Sequence, residues 1–160
     1  MTARVTIAGL GPAGLDRLPE GLRRRLLDPD VRLVLRTLDH PAARELAAVR
    51  PAESADDLYE TADTFDEVYR GIADRVLRAA ADGPVIYAVP GSPMVGEHAV
   101  ALLRAEADVE LLPAESFLDL VLAHAGVDPL ERGLQVLDGR ELPAPLLLHL
   151  PTVIGQIDTA

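Results

Sequence analysis

The chain has 160 residues and a mass of 17.1 kDa, which makes one domain the default and allows roughly two thirds of the unfolded surface to be buried. Its 49% apolar content excludes a disordered chain, and the absence of cysteine excludes disulfides and thiolate metal sites. Fifteen basic against 26 acidic residues give a net charge of −11, so nucleic acid is not an expected partner.

Every basic residue is arginine, which removes Schiff-base chemistry and the phosphate-gripping lysine of a P-loop. No apolar run is long enough for a membrane-crossing helix, and Met1-Thr2-Ala3-Arg4 lacks the pattern of a secretory leader. A cytoplasmic protein without a membrane partner is the expectation.

Val5-Thr6-Ile7-Ala8 reads as a buried strand that ends in the turn Gly9-Leu10-Gly11-Pro12-Ala13-Gly14. A helix is predicted over 19–27, a strand over 31–36, a stop at Thr37-Leu38-Asp39-His40-Pro41 and a short helix over 42–49. The acidic segment 50–63 reads as a loop with a marginal helix or short strand around Asp57-Leu58-Tyr59. Thr64 and Glu67 then form a capping box before Phe65, Val68, Ile72 and Val76, which recur at helical spacing until Gly83-Pro84.

Val85-Ile86-Tyr87-Ala88-Val89 is a strand broken by Pro90-Gly91-Ser92-Pro93, with Ser92 as N-cap and Pro93 as first residue of a helix reaching Glu106. Strands are predicted at 109–112, 134–137 and 146–150, a helix after Ser116, and a last helix opening at Thr152. The alternation specifies an α/β fold, a mostly parallel sheet with helices on both faces. Ligands of such sheets sit beyond the carboxyl ends of the strands. The turns 9–14, 37–41, 90–93 and 113–116 should therefore share one edge.

Several motifs have plainer readings. Gly9-x-Gly11-x-x-Gly14 matches a dinucleotide fingerprint, with Arg36 placed to read NADP, but Pro12 and a late helix start weaken the match. Asp56, Asp57, Glu60, Asp63, Asp66 and Glu67 fit a solvated, dipole-complementing face better than a Mg²⁺ site. His40, His98, His124 and His149 lack metal-ligand spacing, so no metal is expected. Only His40 falls in a candidate site turn.

Taken in order, Gly9-Leu10-Gly11-Pro12, Arg36-Thr37-x-x-His40-Pro41, Asp57-Leu58-Tyr59-Glu60, Phe65-Asp66-Glu67-Val68-Tyr69, the segment 85–93, Ser116-Phe117-Leu118-Asp119 and Gly126-Val127-Asp128-Pro129-Leu130 resemble one family. It is the tetrapyrrole (corrin/porphyrin) methylases, with the methylase-like N-terminal domain of MazG/YabN-type fusion proteins as the nearest likeness. The resemblance implies an S-adenosylmethionine-dependent methyltransferase with two α/β domains, the cofactor in the cleft between them, a small-molecule acceptor such as a tetrapyrrole, and a homodimer. The domain boundaries expected are 1–113 and 114–160, the second domain being a partial one.

On matching positions the resemblance implies that Pro90, Gly91, Ser92, Pro93, Ser116, Phe117, Leu148 and His149 line the cofactor. It implies that Gly9, Gly11, Pro12, Arg36 and His40 border the acceptor side. Ala13 stands where the family's turn has glycine, and alanine does not take positive φ cheaply. Charge favours a cationic cofactor over an acceptor with many carboxylates, for which only local arginines such as Arg32 and Arg36 are in view. Two alternatives stand beside this reading, a non-catalytic ligand-binding or dimerisation module accompanying a MazG-type pyrophosphohydrolase, and an NADP-linked oxidoreductase.

Overall fold

A computed structural model describes residues 4–147 and 149–157. Five strands, β1 (Arg4–Gly9), β2 (Arg32–Leu35), β3 (Glu53–Ser54), β4 (Val85–Val89) and β5 (Asp108–Leu112), form one sheet in the order β3-β2-β4-β1-β5. All pairings are parallel, with Val5 opposite both Val85 and Val109. Successive strand side chains point to opposite faces, and here both faces are apolar. Val5, Ile7, Val34, Val85, Tyr87 and Val89 enter one core, while Ala8, Leu33, Leu35, Ile86 and Ala88 enter the other.

Helices cover both faces, as expected. The second core is closed by a short 3-10 turn (Leu15–Arg17), α1 (Glu20–Leu26) and α2 (Pro41–Val49), through Leu15, Leu22, Leu26 and Leu46. The first is closed by α3 (Asp56–Thr61), α4 (Phe65–Ala81) and α5 (His98–Glu106), through Leu58, Val68, Ile72, Val76 and Leu103. The capping box at the start of α4 is present in both directions, with Thr64 Oγ1 accepting from Glu67 N at 3.3 Å and Glu67 Oε2 from Thr64 N at 3.1 Å.

The acidic segment has structural duties. Asp57 grips Arg75 of α4 through paired 2.7 Å hydrogen bonds, tying α3 to α4. Asp56 accepts from Ser54 Oγ at 2.5 Å and from Leu38 N at 2.8 Å, tying β3 to the turn after β2. The segment forms a helix because Asp56 and Asp57 occupy its first turn, where carboxylates complement the dipole.

The helix predicted to begin at Ser92 and Pro93 begins instead at His98. Ser92 does cap locally, its Oγ accepting from Met94 N at 3.4 Å and its carbonyl from Val95 N at 3.2 Å. Gly96 then takes φ +73, outside helical space, and ends that single turn. Ala13 has no positive φ, so its methyl group costs the turn nothing; the left-handed position is Gly11, at φ +64.

The chain divides into two compact units, Met1–Ser116 and Phe117–Ala160. In the second, α6 (Phe117–Ala125) and α7 (Pro129–Arg132) precede two parallel strands, β6 (Gln135–Asp138) and β7 (Thr152–Gly155). Two expectations fail here. Among the described residues of 146–150 there is no strand, and Thr152 opens a strand rather than a helix. The run Thr152-Val153-Ile154 is β-branched, and it pairs with β6 from Gln135 opposite Thr152 to Asp138 opposite Gly155.

Candidate functional site at the carboxyl edge of the sheet

Because the sheet is parallel, every turn after a strand emerges on the same edge. The turn after β1 meets the turn after β4 in a small antiparallel bridge, Gly11 N donating to Gly91 O at 3.1 Å and Gly91 N to Gly11 O at 2.9 Å. This contact explains the glycines. A Cβ on Gly9 would lie 2.5 Å from Gly91 O and 2.9 Å from the Ala114 Cβ, so the turn after β5 packs against the same point. Gly91 itself takes φ +61.

The turn after β2 joins them through His40, whose Nε2 lies 2.8 Å from Gly11 O and donates to it. The ring is buried, and burial holds it below the ordinary imidazole range against the opposing pull of that hydrogen bond. His40 is therefore a neutral pin, its Nδ1 without a hydrogen-bond partner among the described residues. All four turns converge on one edge.

Arg36 leaves the end of β2 and meets Glu97, which precedes α5, at 3.3 Å. The Glu97 side chain is only 5% exposed. Burial pushes its carboxyl up to about 7, against the opposing pull of Arg36. Arg36 also stands 5.9 Å over the ring of Tyr59. The fully buried Tyr87 hydroxyl has no hydrogen-bond partner among the described residues, and its ionisation is pushed well up by burial, then by Glu97.

Sequence reasoning missed Glu97 and Tyr87. The acid stood inside a presumed helix, its partner is 61 positions away, and Tyr87 looked like one more apolar strand residue.

Of the other expected positions, Pro90, Gly91 and Ser92 are half-buried on the edge, Pro93 and Ser116 are buried, and Pro12 is exposed. In the second unit, Phe117 opens α6 and is 40% exposed, while His149 lies exposed in a turn. Leu148 falls outside the described residues. Arg32 is corrected: it sits at the amino end of β2, on the opposite edge, 3.0 Å from Asp82.

The dinucleotide geometry is not met. Gly14 is extended, a 3-10 turn follows it, and α1 starts only at Glu20, so no helix N-terminus stands behind the glycines. A groove of about 720 Å³ lies at the amino ends of the strands, lined by Arg4, Thr6, Arg25, Pro84, Ile86 and Glu110 among others. There Arg25 already binds both Glu110 oxygens at 2.7 Å, and Thr6 bonds to Glu110. Among the described residues no strand-end turns converge on that side, so the carboxyl edge is the candidate site.

A family model described as tetrapyrrole (corrin/porphyrin) methylases matches residues 4–147. The chain belongs to this methylase family. Uncharacterized protein YabN of Bacillus subtilis (strain 168) is 37% identical over 164 residues, covering 98% of this chain and 33% of the relative. Among solved structures, uroporphyrin-III C-methyltransferase from Thermus thermophilus matches at 28% identity and TM-score 0.58, over 91% of this chain and 65% of that one.

Its complex with S-adenyl homocysteine matches at 26% identity and TM-score 0.53, over 85% of this chain and 55% of that one. Precorrin-6Y methylase from Archaeoglobus fulgidus shares the methylase fold at TM-score 0.65 and 21% identity, over 95% of this chain and 72% of that one. The chain thus spans a third of its curated relative and 65% of the first of these enzymes.

Proposed function

We propose that the chain is an S-adenosylmethionine-dependent methyltransferase domain of tetrapyrrole-methylase type, with the cofactor at the carboxyl edge of the five-stranded sheet. The observation that carries this reading is the convergence of four strand-end turns through the Gly11–Gly91 bridge. The T. thermophilus relative, complexed with S-adenyl homocysteine, supports the choice of ligand. The residues suit it chemically. Segment 90–97 offers peptide groups and the Ser92 hydroxyl, carries no cation, and belongs to a chain of net charge −11, so a sulfonium meets no repulsion.

In this reading Pro90, Gly91, Ser92, Pro93 and Ser116 hold and orient the cofactor, while Gly9, Gly11, Pro12, Arg36 and His40 border the acceptor. When bound, the cofactor supplies a methyl carbon already activated on sulfur. Alignment, more than a strong base, is then what the protein must provide. Neutral His40 serves that end by fixing the Gly11 carbonyl. The acceptor is a small molecule. A polycarboxylate tetrapyrrole is less favoured by charge, since Arg36 is already paired with Glu97 and Arg32 lies on the other edge.

Calorimetry with S-adenosylmethionine and S-adenosylhomocysteine tests the reading. The wild type should give binding heat, and Gly91→Val, strained at positive φ, should weaken binding at least about tenfold. Absence of heat from the wild type ends the proposal. Phe117→Ala and His149→Ala test the remaining expected positions, each with weaker binding as the outcome.

The 37% identity to YabN supports placing the chain as the methylase-like part of a MazG/YabN-type protein. A pyrophosphohydrolase assay on intact YabN, expected positive, checks that placement. The exposed apolar side chains of Phe117, Leu120 and Val121 support a homodimer, for which sedimentation should give twice the 17.1 kDa chain mass.

A further inference from the structure

The segment between β4 and α5 is fastened at two points. Near its start Gly91 is bridged to Gly11 by two backbone hydrogen bonds. At its end Glu97 is drawn into the protein against Arg36. Between them Met94 is exposed, and Ser92 closes the turn by accepting from Met94 N and Val95 N.

The second fastening is unusual for its surroundings. Glu97 is faced by Arg36 from the end of β2, Tyr59 from α3 and Tyr87 from β4, while Tyr69 from α4 acts on Arg36 and stacks at 5.0 Å on His98 of α5. One cation is thus set among three phenols, and one of those, Tyr87, has a buried hydroxyl with no hydrogen-bond partner among the described residues. An ionised carboxylate is poorly solvated there.

We propose that Glu97, seated against Arg36, is a positioning residue that sets the Pro90–Gly96 loop for ligand binding, and that ionisation of its carboxyl loosens the loop. The ligand half of this inference rests on the cofactor reading above.

The sign follows from linkage. In the closed loop the Glu97 carboxyl titrates at about 7, whereas in an open, solvated loop it returns toward its ordinary 4.5. Opening therefore releases a proton between those values and becomes more favourable as pH rises through the window. Arg36 moderates the effect, because its cation stabilises the ionised form. Removing that cation should move the transition to higher pH.

Hydrogen exchange of the amides of residues 92–96, corrected for intrinsic pH dependence, reads the opening directly in the full chain. The expected result is a loss of protection of roughly a hundredfold between pH 5 and 8 in the wild type. Glu97→Gln should show a flat profile, and Arg36→Gln a profile displaced upward in pH. The affinity for S-adenosylhomocysteine, measured by calorimetry over the same range, should fall as the loop opens.

A flat wild-type profile, or one unchanged by Glu97→Gln, overturns the fastening. If Glu97→Gln does not fold, the displaced midpoint of Arg36→Gln decides the point, and an unmoved midpoint overturns it. Loop titration with a pH-independent affinity overturns the positioning role alone. Loop titration with no binding heat at any pH overturns the cofactor reading and leaves the fastening in place.

Discussion

Residues 4–116 and 117–157 use the same apolar alphabet to opposite ends. Every residue of β4 is buried, whereas none of the described residues of 117–157 is. The contrast is sharpest in α6, whose sequence Phe-Leu-Asp-Leu-Val-Leu-Ala-His-Ala is as apolar as many core helices yet leaves Phe117, Leu120 and Val121 at 40%, 45% and 39% exposure. Apolar content makes a core only where elements are numerous enough to enclose it. Five parallel strands between two helical layers achieve that, and a two-stranded sheet is marginal by itself.

The comparison breaks if the two units respond alike to truncation. Leu46→Ala or Ile72→Ala, both at fully buried sites, should cost about 2–5 kcal/mol, while Leu130→Ala, at 95% exposure, should cost about nothing; urea denaturation measures both. A similar loss at Leu130 would show that 117–157 has a packed interior after all.

Next in size is the effect of Glu97. Its raised pKa means that the folded state holds a proton that the unfolded chain has lost, so stability should fall by roughly 3 kcal/mol as pH rises from 4.5 to about 7. Glu97→Gln should remove that slope. Glu110 works in the opposite sense, held down to about 2 chiefly by its hydrogen bonds to Arg25, so its contribution is present above 4.5 and is lost as pH falls toward 2.

The smallest change sharpens the comparison of helix starts. Thr64→Ala should cost about 1 kcal/mol by removing the capping box, and thermal melting reads it. Native-state hydrogen exchange supplies a map of both regions, with β1 and β4 amides protected to the limit of global unfolding and those of 117–157 exchanging by local opening.

Much of the fold was legible because it is written in local chemistry. β4 is found over the residues its apolar run marks, bounded by Gly83-Pro84 and Pro90-Gly91, and α4 starts where Thr64 and Glu67 say it should. The convergence of the turns was legible as well, since it follows from parallel strands alone. Errors arose where a local signal was genuine but short. Ser92 caps one turn, and Gly96 prevents the helix from continuing.

The Arg36–Glu97 pair was illegible for a different reason. Its partners come from separate strand-to-helix connections, and an acid beside a helix start ordinarily faces water. At Thr152 the β-branched run was readable as a strand, but its partner β6 was needed to decide the matter.

The seam between Gly11 and Gly91 is made of peptide groups alone. Its outline is therefore inherited through the main chain, and amino-acid changes along the rim leave it standing provided the two glycines persist. Evolution can then recut the rim for a new guest molecule while the hinge-like stitch beneath stays constant, which gives the scaffold room to diversify without being rebuilt.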